Sequence, residues 1–342
     1  MKILITGGCG FVGSNIAVFL KKRLKNVSVQ TLDNLFRKGS KINELRLKKI
    51  GIKNYNFDIK NYKQITKLTK FHLIIDCCAE PAIEASHKNP NRVFDTNLIG
   101  TFNILKKCIK HKANIIFLSS SRVYSIPALK KIVKKRNINK PIKLKTKINE
   151  NFDTSSPCSL YGFTKLASEK LIQEFSFTHN IKYIINRFGV IAGPWQFGKQ
   201  DQGFVSLWVA KHMLKNKLSY IGFGGHGHQV RDIIHIKDVC EIILKQIKQI
   251  KNKNNNIFNI GGGIKNRISL KELTSQCNKL TGNKIFIGKT ISTSKFDIPY
   301  YVTDNSKVNK IYKWKPIKNI KNILEDIHNW IENNRKIKKY FK

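Results

Sequence analysis

Three evenly spaced glycines near the start of the chain constrain its fold more than any other feature. Gly7, Gly10 and Gly13 lie between the apolar run 2–6 and the stretch 16–20, in which apolar residues recur with helical spacing. Glycines at this spacing permit a tight turn and let a pyrophosphate approach the start of a helix, where free amides and the helix dipole favour an anion. The region therefore predicts a strand, a turn and a helix that bind a dinucleotide. A glycine-rich turn in an unrelated α/β protein is the alternative at this point.

The acidic residue after the second predicted strand indicates which dinucleotide binds. Strand 27–32 ends in Asp33, twenty residues after Gly13. A carboxylate in this place accepts hydrogen bonds from the adenosine ribose hydroxyls and repels a 2′-phosphate, so it favours NAD over NADP. Arg37 lies close enough in sequence to weaken that preference. The residues of this region that we expect to contact NAD are Gly7, Gly10, Phe11, Val12, Gly13, Asp33 and Asn34.

Further alternation of strands and helices predicts an α/β fold with a doubly wound parallel sheet. Residues 54–57 read as a strand, and Asp58 and Ile59 directly after it are placed to contact adenine. The apolar run 73–79 suits a buried parallel strand, and the helix that follows carries Asn97. The contacts that we expect with NAD from this part are Asp58, Ile59, Cys78, Ala79 and Asn97.

A loop rich in hydroxyl groups follows the next predicted strand. Strand 114–118 leads into Ser119, Ser120, Ser121 and Arg122. Because ligands of open α/β sheets bind beyond the carboxyl ends of the strands, we expect these side chains to touch one. Serines in a loop are also common turn formers.

The next helix carries a tyrosine and a lysine four residues apart. If Ser156 caps this helix with Pro157 in the first turn, Tyr161 and Lys165 share one face. A phenol titrates near ~10, so Tyr161 can act as a base only if its phenolate is stabilised. A neighbouring ammonium group and a cationic nicotinamide ring both favour the phenolate. The same spacing is also typical of an amphipathic helix surface.

The formal net charge of +43, from 64 Lys and Arg against 21 Asp and Glu, suggests nucleic-acid binding at first sight. The excess is nearly all lysine and is spread along the chain, without an RNA-binding signature or a basic tract interleaved with aromatic residues. The basic runs at 130–136 and 335–342 are therefore predicted to be solvated faces. We expect the positive field to steer anionic ligands toward the protein, and no nucleic acid as partner.

Neither the cysteines nor the hydropathy pattern points to an extracellular or membrane protein. The seven cysteines are scattered, and only Cys77 and Cys78 are adjacent, which predicts neither a metal site nor a disulfide framework. The first strand begins at once, and no apolar run is long enough to span a membrane. We therefore expect a cytoplasmic protein with no metal and no membrane partner.

The character of the chain changes after residue 188, where loop-rich stretches suggest a second ligand-binding region. These stretches are 189–196, 201–204 and 222–232. Residues 1–188, together with about 237–262, are predicted to form the NAD-binding domain. Residues 189–236 and 263–342 are predicted to form a smaller substrate domain.

Taken together, the glycine turn, Asp33, the serine loop and the Tyr161/Lys165 pair resemble the extended short-chain dehydrogenase/reductase superfamily. More narrowly, the chain resembles the NAD-dependent epimerase/dehydratase family, which acts on nucleotide sugars. The resemblance covers nearly the whole chain and implies a Rossmann domain with a substrate domain. Its Ser/Thr-x-x-x-Tyr pattern, counted back from Tyr124, implies Ser120, Tyr161 and Lys165 as catalytic residues, with Ser121 in reserve. It also implies a homodimer formed through the helices around residues 92–110 and 157–178.

Within that family, four stretches look most like the CDP-paratose (CDP-tyvelose) 2-epimerases. They are Gln196, 201–205, 229–232 and 259–262. The resemblance implies that Arg231 neutralises the diphosphate of the nucleotide sugar, a role that suits a guanidinium fork. An ion pair with Asp232 or Asp238 is the other interpretation of Arg231. The expected substrate contacts are Ser121, Arg122, Arg187, Gln196, Gln202, Gln229 and Arg231.

The sequence also departs from the family pattern. Nucleotide-sugar 4,6-dehydratases carry Asp-Glu after the catalytic hydroxyl residue, whereas this chain has Ser121 and Arg122, which disfavours dehydration. Residues 76–81 replace the usual His-Leu-Ala segment, and Ser125 replaces the usual glycine. Near Asp297, where relatives often place a diphosphate-binding arginine, the chain has Ser294 and Lys295.

These features predict an epimerase that uses tightly bound NAD to oxidise a CDP- or UDP-linked sugar transiently and then to reduce it again. A UDP-glucose or UDP-hexose 4-epimerase is the nearest alternative. A second is a nucleotide-sugar dehydrogenase or reductase with exchangeable cofactor. A third, of another class, is a dinucleotide sensor or RNA-binding relative that keeps the fold without turnover.

Overall fold

The computed structural model describes residues 1–81, 88–133, 140–199 and 202–341. The lysine-rich residues 134–136 and Asp201 of the motif 201–205 lie outside these described residues. The strands are β1 (Lys2–Thr6), β2 (Ser28–Leu32), β3 (Asn54–Tyr55), β4 (Leu73–Asp76), β5 (Asn114–Ser120), β6 (Tyr183–Phe188), β7 (Val190–Ala192), β8 (Leu218–Ile221), β9 (Val230–His235), β10 (Asn256–Ile260), β11 (Arg267–Ser269), β12 (Ile287–Thr290) and β13 (Tyr300–Tyr301).

The α-helices are α1 (Phe11–Arg23), α2 (Ser40–Lys48), α3 (Tyr62–Thr66), α4 (Pro90–Phe94), α5 (Gly100–His111), α6 (Ile126–Lys131), α7 (Leu160–His179), α8 (Phe204–Met213), α9 (Ile236–Gln249), α10 (Leu270–Thr281), α11 (Ser306–Tyr312) and α12 (Ile320–Asn333). A π-helical segment, Asp95–Ile99, joins α4 to α5. The basic run that begins at residue 130 therefore starts inside α6. None of the helices in the described ranges is long and apolar enough to cross a membrane.

Seven parallel strands form the central sheet in the order β3, β2, β1, β4, β5, β6, β10. The strand order reverses between β1 and β4, and in open α/β sheets ligands bind beyond the carboxyl ends of the strands at such a point. The predicted α/β fold with a doubly wound parallel sheet is thereby confirmed.

Helices cover both faces of this sheet, which explains why strands such as β1 and β4 are buried along nearly their whole length rather than at alternate residues. On one face, Ile16 of α1 and Ile243 of α9 are fully buried against β1 and β4. On the other face, Ile104 of α5 and Ile172 of α7 are buried against β5. The sheet is therefore held rigidly between two helical layers, and its carboxyl edge is a fixed platform for side chains.

A second group of elements packs beyond that carboxyl edge. Strand β9 pairs with β11 in antiparallel fashion and with β13 and β7 in parallel fashion. A separate apolar core joins α8, α10 and α12, with Val209, Leu273 and Ile327 fully buried. The two cores leave a cleft between the central sheet and this second group.

The predicted start of helix α7 is three residues too early. The helix begins at Leu160, and Ser159 caps it by accepting a hydrogen bond from the amide of Gly162 at 3.2 Å. The carbonyl of Pro157 accepts a hydrogen bond from the amide of Ile126 at 3.0 Å, so Pro157 belongs to the preceding loop. Tyr161 and Lys165 still lie one turn apart. Strand ends also shift, because β3 and β4 end at Tyr55 and Asp76 while β5 extends to Ser120.

Candidate active site

A cavity of about 1290 Å³ opens at the carboxyl edge of the central sheet. Its walls come from the glycine turn, the ends of β2, β4 and β5, the first turns of α7, and the second group of elements. All of the predicted site residues line it except Asn97 and Arg187. The structure thus brings together side chains that are far apart in sequence.

The glycine turn has the geometry of an anion cradle. Gly7 has a left-handed φ of 59°, and its carbonyl accepts a hydrogen bond from the amide of Gly10 at 3.0 Å. A Cβ atom on Gly13 would lie 2.4 Å from that same carbonyl oxygen, so only glycine allows this approach of helix and turn. Gly10 faces the cavity at the start of α1, where the helix amides are free to bind a phosphate.

Asp33 is fixed at the end of β2 by backbone amides. Its carboxylate accepts hydrogen bonds from Cys9 at 3.0 Å and from Leu35 at 2.8 Å. Burial raises the pKa of Asp33, and the amides of Leu35 and Cys9 oppose that shift. Beside it, the Asn34 amide donates to Asp58 at 3.2 Å. Asp33, Asn34 and Asp58 therefore form one polar wall of the cavity.

The end of β4 forms the floor of the cavity. Asp76 is fully buried and accepts hydrogen bonds from the hydroxyls of Thr6 at 2.5 Å and Thr101 at 3.0 Å. The amide of Cys78 donates to Thr6 at 3.2 Å. Burial raises the pKa of the Cys78 thiol well above its ordinary value, so this thiol stays protonated. Ala79 and Ile59 complete this apolar part of the lining.

Two predicted site residues lie behind the walls rather than in them. Asn97 is fully buried, where it accepts a hydrogen bond from the amide of Glu80 at 2.7 Å and donates to the hydroxyl of Thr164 at 3.1 Å. Arg187 forms a buried ion pair with Glu169 at 2.7 Å and donates to the hydroxyl of Tyr124 at 3.3 Å. The polar groups of both side chains are thus hydrogen-bonded within the protein.

Ser120 and Tyr161 meet at the centre of the cavity. The hydroxyl of Ser120 accepts a hydrogen bond from the amide of Arg122 at 3.1 Å and is hydrogen-bonded to the phenol of Tyr161. Burial raises the pKa of Tyr161, and the Ser120 hydrogen bond and the charges of Arg122 and Arg37 oppose it. Ser121 lines the cavity next to them.

Lys165 is buried with its ammonium group free. Only 1 % of the residue is exposed, and within the described part of the chain its Nζ has no hydrogen-bond partner. The Nζ lies 4.3 Å from the ring centre of Phe117. Burial lowers the pKa of Lys165, and the carboxylate of Asp76 opposes that effect. A buried ammonium without a partner costs free energy, so a polar ligand that accepts a hydrogen bond from Lys165 would be favoured here.

Three glutamines line the side of the cavity that faces the second group of elements. Gln196 accepts a hydrogen bond from the hydroxyl of Ser206 at 2.7 Å, and Gln202 accepts one from Arg37 at 2.9 Å. Gln229 donates from its Nε2 to the carbonyl of Ile221 at 3.1 Å. That bond leaves the Oε1 of Gln229 without a partner among the described residues.

Two arginines flank one carboxylate in the same region. Arg231 pairs with Asp297 at 3.1 Å, rather than with Asp232 or Asp238 as the alternative interpretation had it. Burial lowers the pKa of Arg231 to about 10, and the pairing with Asp297 opposes this shift. Arg122 donates to the carbonyl of Phe296 at 3.2 Å. With two guanidinium groups and one carboxylate, this wall carries excess positive charge.

An ionic cluster that was not predicted from the sequence lies at the cavity mouth. Glu80 is nearly buried and pairs with Arg37 at 2.6 Å and with Arg92 at 2.8 Å. The guanidinium of Arg92 also lies 3.5 Å from the ring centre of Phe36. Arg37 is already paired with Glu80 and hydrogen-bonded to Gln202, so it is not free to bind the 2′-phosphate of NADP. It therefore does not weaken the preference for NAD.

The residues present fit a dinucleotide. The turn at Gly7, Gly10 and Gly13 leaves room for a pyrophosphate, and Asp33 closes the far end of the same wall. The unpartnered ammonium of Lys165 lies in the lining at the other end, next to Tyr161. A ligand with phosphates in its middle and hydroxyl groups at both ends would match these groups.

Fold and cavity together define a dinucleotide-binding Rossmann protein of the short-chain dehydrogenase/reductase type. The sequence profile of the family described as "NAD dependent epimerase/dehydratase family" matches residues 3–261. The chain therefore belongs to this family of enzymes, as the resemblance predicted, and its cofactor is NAD.

Individual relatives agree with this assignment. The chain is 29% identical to CDP-paratose 2-epimerase of Salmonella typhi, over 96% of this chain and 99% of that protein. It is 25% identical to UDP-glucose 4-epimerase of Halalkalibacterium halodurans, over 96% and 95% of the two chains. The crystal structure of UDP-glucuronic acid 4-epimerase from Bacillus cereus with UDP-glucuronic acid and NAD superposes with a TM-score of 0.81, at 22% identity and over 98% and 100% of the two chains.

Proposed function

We propose that this protein is a nucleotide-sugar epimerase that keeps NAD bound through turnover. The observation that carries the proposal is a single cavity with two chemically distinct halves. One half holds the glycine turn and Asp33, and the other holds Arg231 among polar side chains. Ser120, Tyr161 and Lys165 lie in the lining of the same cavity. A cofactor and an anionic sugar nucleotide could both reach that centre.

In this proposal NAD is held by the glycine turn, Asp33, Asn34, Asp58, Ile59, Cys78 and Ala79. Bound NAD would supply a hydride acceptor and later a hydride donor, so that no net redox change occurs. Asn97 and Arg187 lie behind the lining, and a contact of either with a ligand stays a prediction. Lys165, whose ammonium has no partner among the described residues, would donate to the ribose of the cofactor.

The protein's own groups handle the proton. Tyr161, as phenolate, removes the proton of a sugar hydroxyl while Ser120 holds that oxygen in place. The keto sugar that results turns within the cavity, and Tyr161 returns the proton once the other face is reduced. Ser121 and Arg122 stand where a dehydratase needs an acid and a base, so the intermediate is not dehydrated. Arg231, by exchanging Asp297 for phosphate oxygens, would neutralise the diphosphate.

Within this class we propose an activity like that of the CDP-paratose 2-epimerases. The support is the similarity to the Salmonella typhi enzyme along nearly the whole chain, together with the motifs at Gln196, Gln202 and 229–232. A 4-epimerase acting on UDP-sugars is the second candidate, because the Halalkalibacterium halodurans enzyme aligns over a similar length at 25% identity. The two differ in the nucleotide recognised and in the carbon oxidised.

We also propose that one domain binds NAD and that a second domain binds the nucleotide sugar. Residues 1–188 and about 237–262 would bind NAD, since α9 and β10 pack into the central sheet. Residues 189–236 and 263–342 would bind the nucleotide sugar.

The first experiment denatures the purified protein and identifies any nucleotide that it releases. About one equivalent of NAD per chain is expected, because an epimerase of this kind has to retain its cofactor between the two half-reactions. A protein that purifies empty, and that produces NADH steadily when sugar nucleotides are added, would be an exchanging dehydrogenase instead.

The second experiment compares CDP- and UDP-linked sugars as substrates for the parent protein and for Tyr161→Phe. The variant should retain NAD but lose turnover by at least about a hundredfold, the usual contribution of a general acid-base group. Full activity of the variant would remove Tyr161 from the mechanism. Turnover of UDP-sugars alone would favour the 4-epimerase, and salt-sensitive RNA binding without any turnover would favour a sensor.

A further inference from the structure

The ionic cluster of Glu80 with Arg37 and Arg92 joins segments that leave two different strands of the central sheet. Arg37 lies in the loop after β2, and Glu80 lies four residues after the end of β4. In the sheet these strands are separated by β1 alone, so they lie about 10 Å apart. The glycine turn follows β1 directly. The contact between Arg37 and Glu80 therefore crosses the line of β1 at the cavity edge where the glycine turn lies.

Two contacts hold the loop after β2 to this carboxylate. The Nη2 of Arg37 lies 2.6 Å from one oxygen of Glu80, and the Nη2 of Arg92 lies 2.8 Å from the other. The guanidinium of Arg92 also lies 3.5 Å from the ring centre of Phe36, the neighbour of Arg37 in the chain. The carboxylate is 7% exposed, so water screens these contacts poorly. The cluster thus links the loop after β2, the segment after β4 and helix α4.

The backbone of Glu80 is fixed by Asn97, the buried residue behind the cavity wall. The amide of Glu80 donates to the Oδ1 of Asn97 at 2.7 Å, and the Nδ2 of Asn97 donates to the carbonyl of Glu80 at 3.3 Å. That Nδ2 also donates to Thr164 on α7 at 3.1 Å. On the other side, the Nη1 of Arg37 donates to Gln202, just before α8, at 2.9 Å. The cluster is therefore anchored both to the Rossmann layer and to the second group of elements.

We propose that Glu80 is a positioning residue that retains NAD, because it holds Arg37 and Arg92 across the cleft above the glycine turn. The cluster and the turn line the same cavity. A pyrophosphate at the turn would lie between the edge of the sheet and the cluster, so release of the cofactor requires the contacts of Glu80 to break. This inference rests on the proposed function in one respect, since an epimerase has to keep its cofactor between the two half-reactions.

The test measures how fast NAD bound to the purified, NAD-loaded protein exchanges for isotopically labelled NAD. In Glu80→Gln the exchange should be at least about tenfold faster, because a neutral amide cannot pair with two guanidinium groups and a nearly buried ion pair is costly to break. An effect of charge alone has the opposite sign. Removal of a carboxylate beside two arginines makes the cavity more positive, which would slow the release of an anionic dinucleotide.

Two further variants locate the effect. Arg37→Met should also exchange NAD faster, and it keeps the test valid if Glu80→Gln does not fold. The double variant should exchange about as fast as the faster single variant, because both changes break the same contact. As a matched control, Arg23→Met breaks an exposed pair with Glu241 away from the cavity and should exchange NAD at the parent rate.

Turnover gives a readout that a merely structural role of Glu80 would not move. In Glu80→Gln without added NAD, turnover of a nucleotide sugar should decline as cofactor is lost from the protein. Free NAD in the assay should restore it. Activity lost through a distorted site would not respond to added NAD.

The outcomes separate this inference from the proposed function. Exchange that is unchanged or slower in Glu80→Gln and Arg37→Met would overturn the inference, and so would faster exchange in only one of them, because the contact needs both partners. Faster exchange in both variants of a protein that turns over no nucleotide sugar would support the inference while the proposed function fails. Epimerase activity with parent exchange rates in both variants would do the reverse.

Discussion

At the scale of single residues, Gly13 and Gly10 in the glycine turn have different roles. Gly13 allows the helix to pack against the turn, and Gly10 leaves space for a ligand. A Cβ on Gly13 would lie 2.4 Å from the carbonyl oxygen of Gly7, whereas one on Gly10 would meet only that oxygen, at 3.0 Å. The first contact is too close for any side chain, and the second is tight but tolerable. Gly10 faces the cavity, so an added methyl group there would occupy space needed by a phosphate.

We therefore expect Gly13→Ala to lower both the stability of the protein and its NAD content, and Gly10→Ala to lower mainly the NAD content. The cost of Gly13→Ala should be about 1–3 kcal/mol, as for overpacking in a dense interior. Denaturant unfolding of the protein stripped of NAD, together with the nucleotide released on denaturation, checks both variants. Equal loss of stability in the two variants would contradict the assignment.

Local spacing explains which residues could be found from the sequence. Asp33 follows a strand at a fixed distance from the glycines, and Tyr161 and Lys165 lie one helical turn apart, so each was visible in a short window. Asn97 and Arg187 are predicted site residues, and in the structure their side chains contact Glu80 and Glu169. Burial of a polar side chain cannot be read from its immediate neighbours, because the groups that satisfy it come from other elements.

At the scale of secondary-structure elements, one buried network joins three of them near the site. Glu169 on α7 accepts hydrogen bonds from Ser119 at the end of β5 at 2.5 Å and from Arg187 on β6 at 2.7 Å. Arg187 is 6% exposed and Glu169 only 1%. The helix that carries Tyr161 is thereby tied to the strand that carries Ser120.

Removing the positive partner should be costly. We expect Arg187→Met to lower the free energy of unfolding by about 3–5 kcal/mol, because it leaves the carboxylate of Glu169 buried and unpaired. The double variant Arg187→Met, Glu169→Leu should recover much of this loss, since two apolar groups leave no unpaired charge. As a control, Arg23→Met breaks the exposed pair with Glu241 and should cost no more than about 1 kcal/mol. Denaturant unfolding of the four proteins is the measurement.

The junction of β9 and α9 gives a prediction about pH. His235 is 3% exposed, and its Nδ1 caps α9 by accepting a hydrogen bond from the amide of Lys237 at 2.9 Å. Burial lowers its pKa from 6.5 to about 4, even though its Nε2 lies 3.3 Å from the carboxylate of Asp326. The folded protein therefore resists protonation of His235 at pH values where the unfolded chain accepts it.

Between pH 6.5 and 4 the unfolded state binds the extra proton, so stability falls as the pH falls. At about 1.4 kcal/mol for each pKa unit, the whole effect amounts to about 3 kcal/mol. His235→Asn keeps a capping acceptor but does not titrate. The stability of the parent relative to this variant should therefore decline from pH 6.5 to 4 and stay level above pH 7. A constant difference across the whole range would show that the pKa of His235 is the same in the folded and unfolded states.

At the scale of the whole molecule, the sequence predicted the central sheet better than the cavity. Strands such as β1 and β4 consist largely of contiguous apolar residues, and the order of elements follows from short connections. The wall opposite Tyr161, by contrast, depends on contacts such as that of Arg122 with the carbonyl of Phe296, 174 residues away. In the sequence, Asp297 marks only a region in which relatives often have a diphosphate-binding arginine and this chain does not. Its pairing with Arg231 depends on contacts that only the three-dimensional structure shows.

Exposed apolar side chains on the outer surface offer a site for the homodimer that the family resemblance implies. Phe163 and Phe177 on α7 are 51% and 88% exposed, and they lie fourteen residues, or about four helical turns, apart on the same face. Phe94 and Ile99, on the neighbouring segment that leads into α5, are each 37% exposed. Large apolar side chains clustered on two adjacent helices are typical of a protein interface.

We propose that this face forms the dimer, and that Phe163→Glu combined with Phe177→Glu disrupts it, because four charges would be buried across a two-fold axis. Light scattering should give about twice the chain mass of 39.4 kDa for the parent protein and a single chain mass for the double variant. Phe286→Glu changes a side chain that is 68% exposed outside these helices and should leave the dimer intact. A parent protein that already measures one chain mass would refute the dimer, and a double variant that stays dimeric would move the interface elsewhere on the surface.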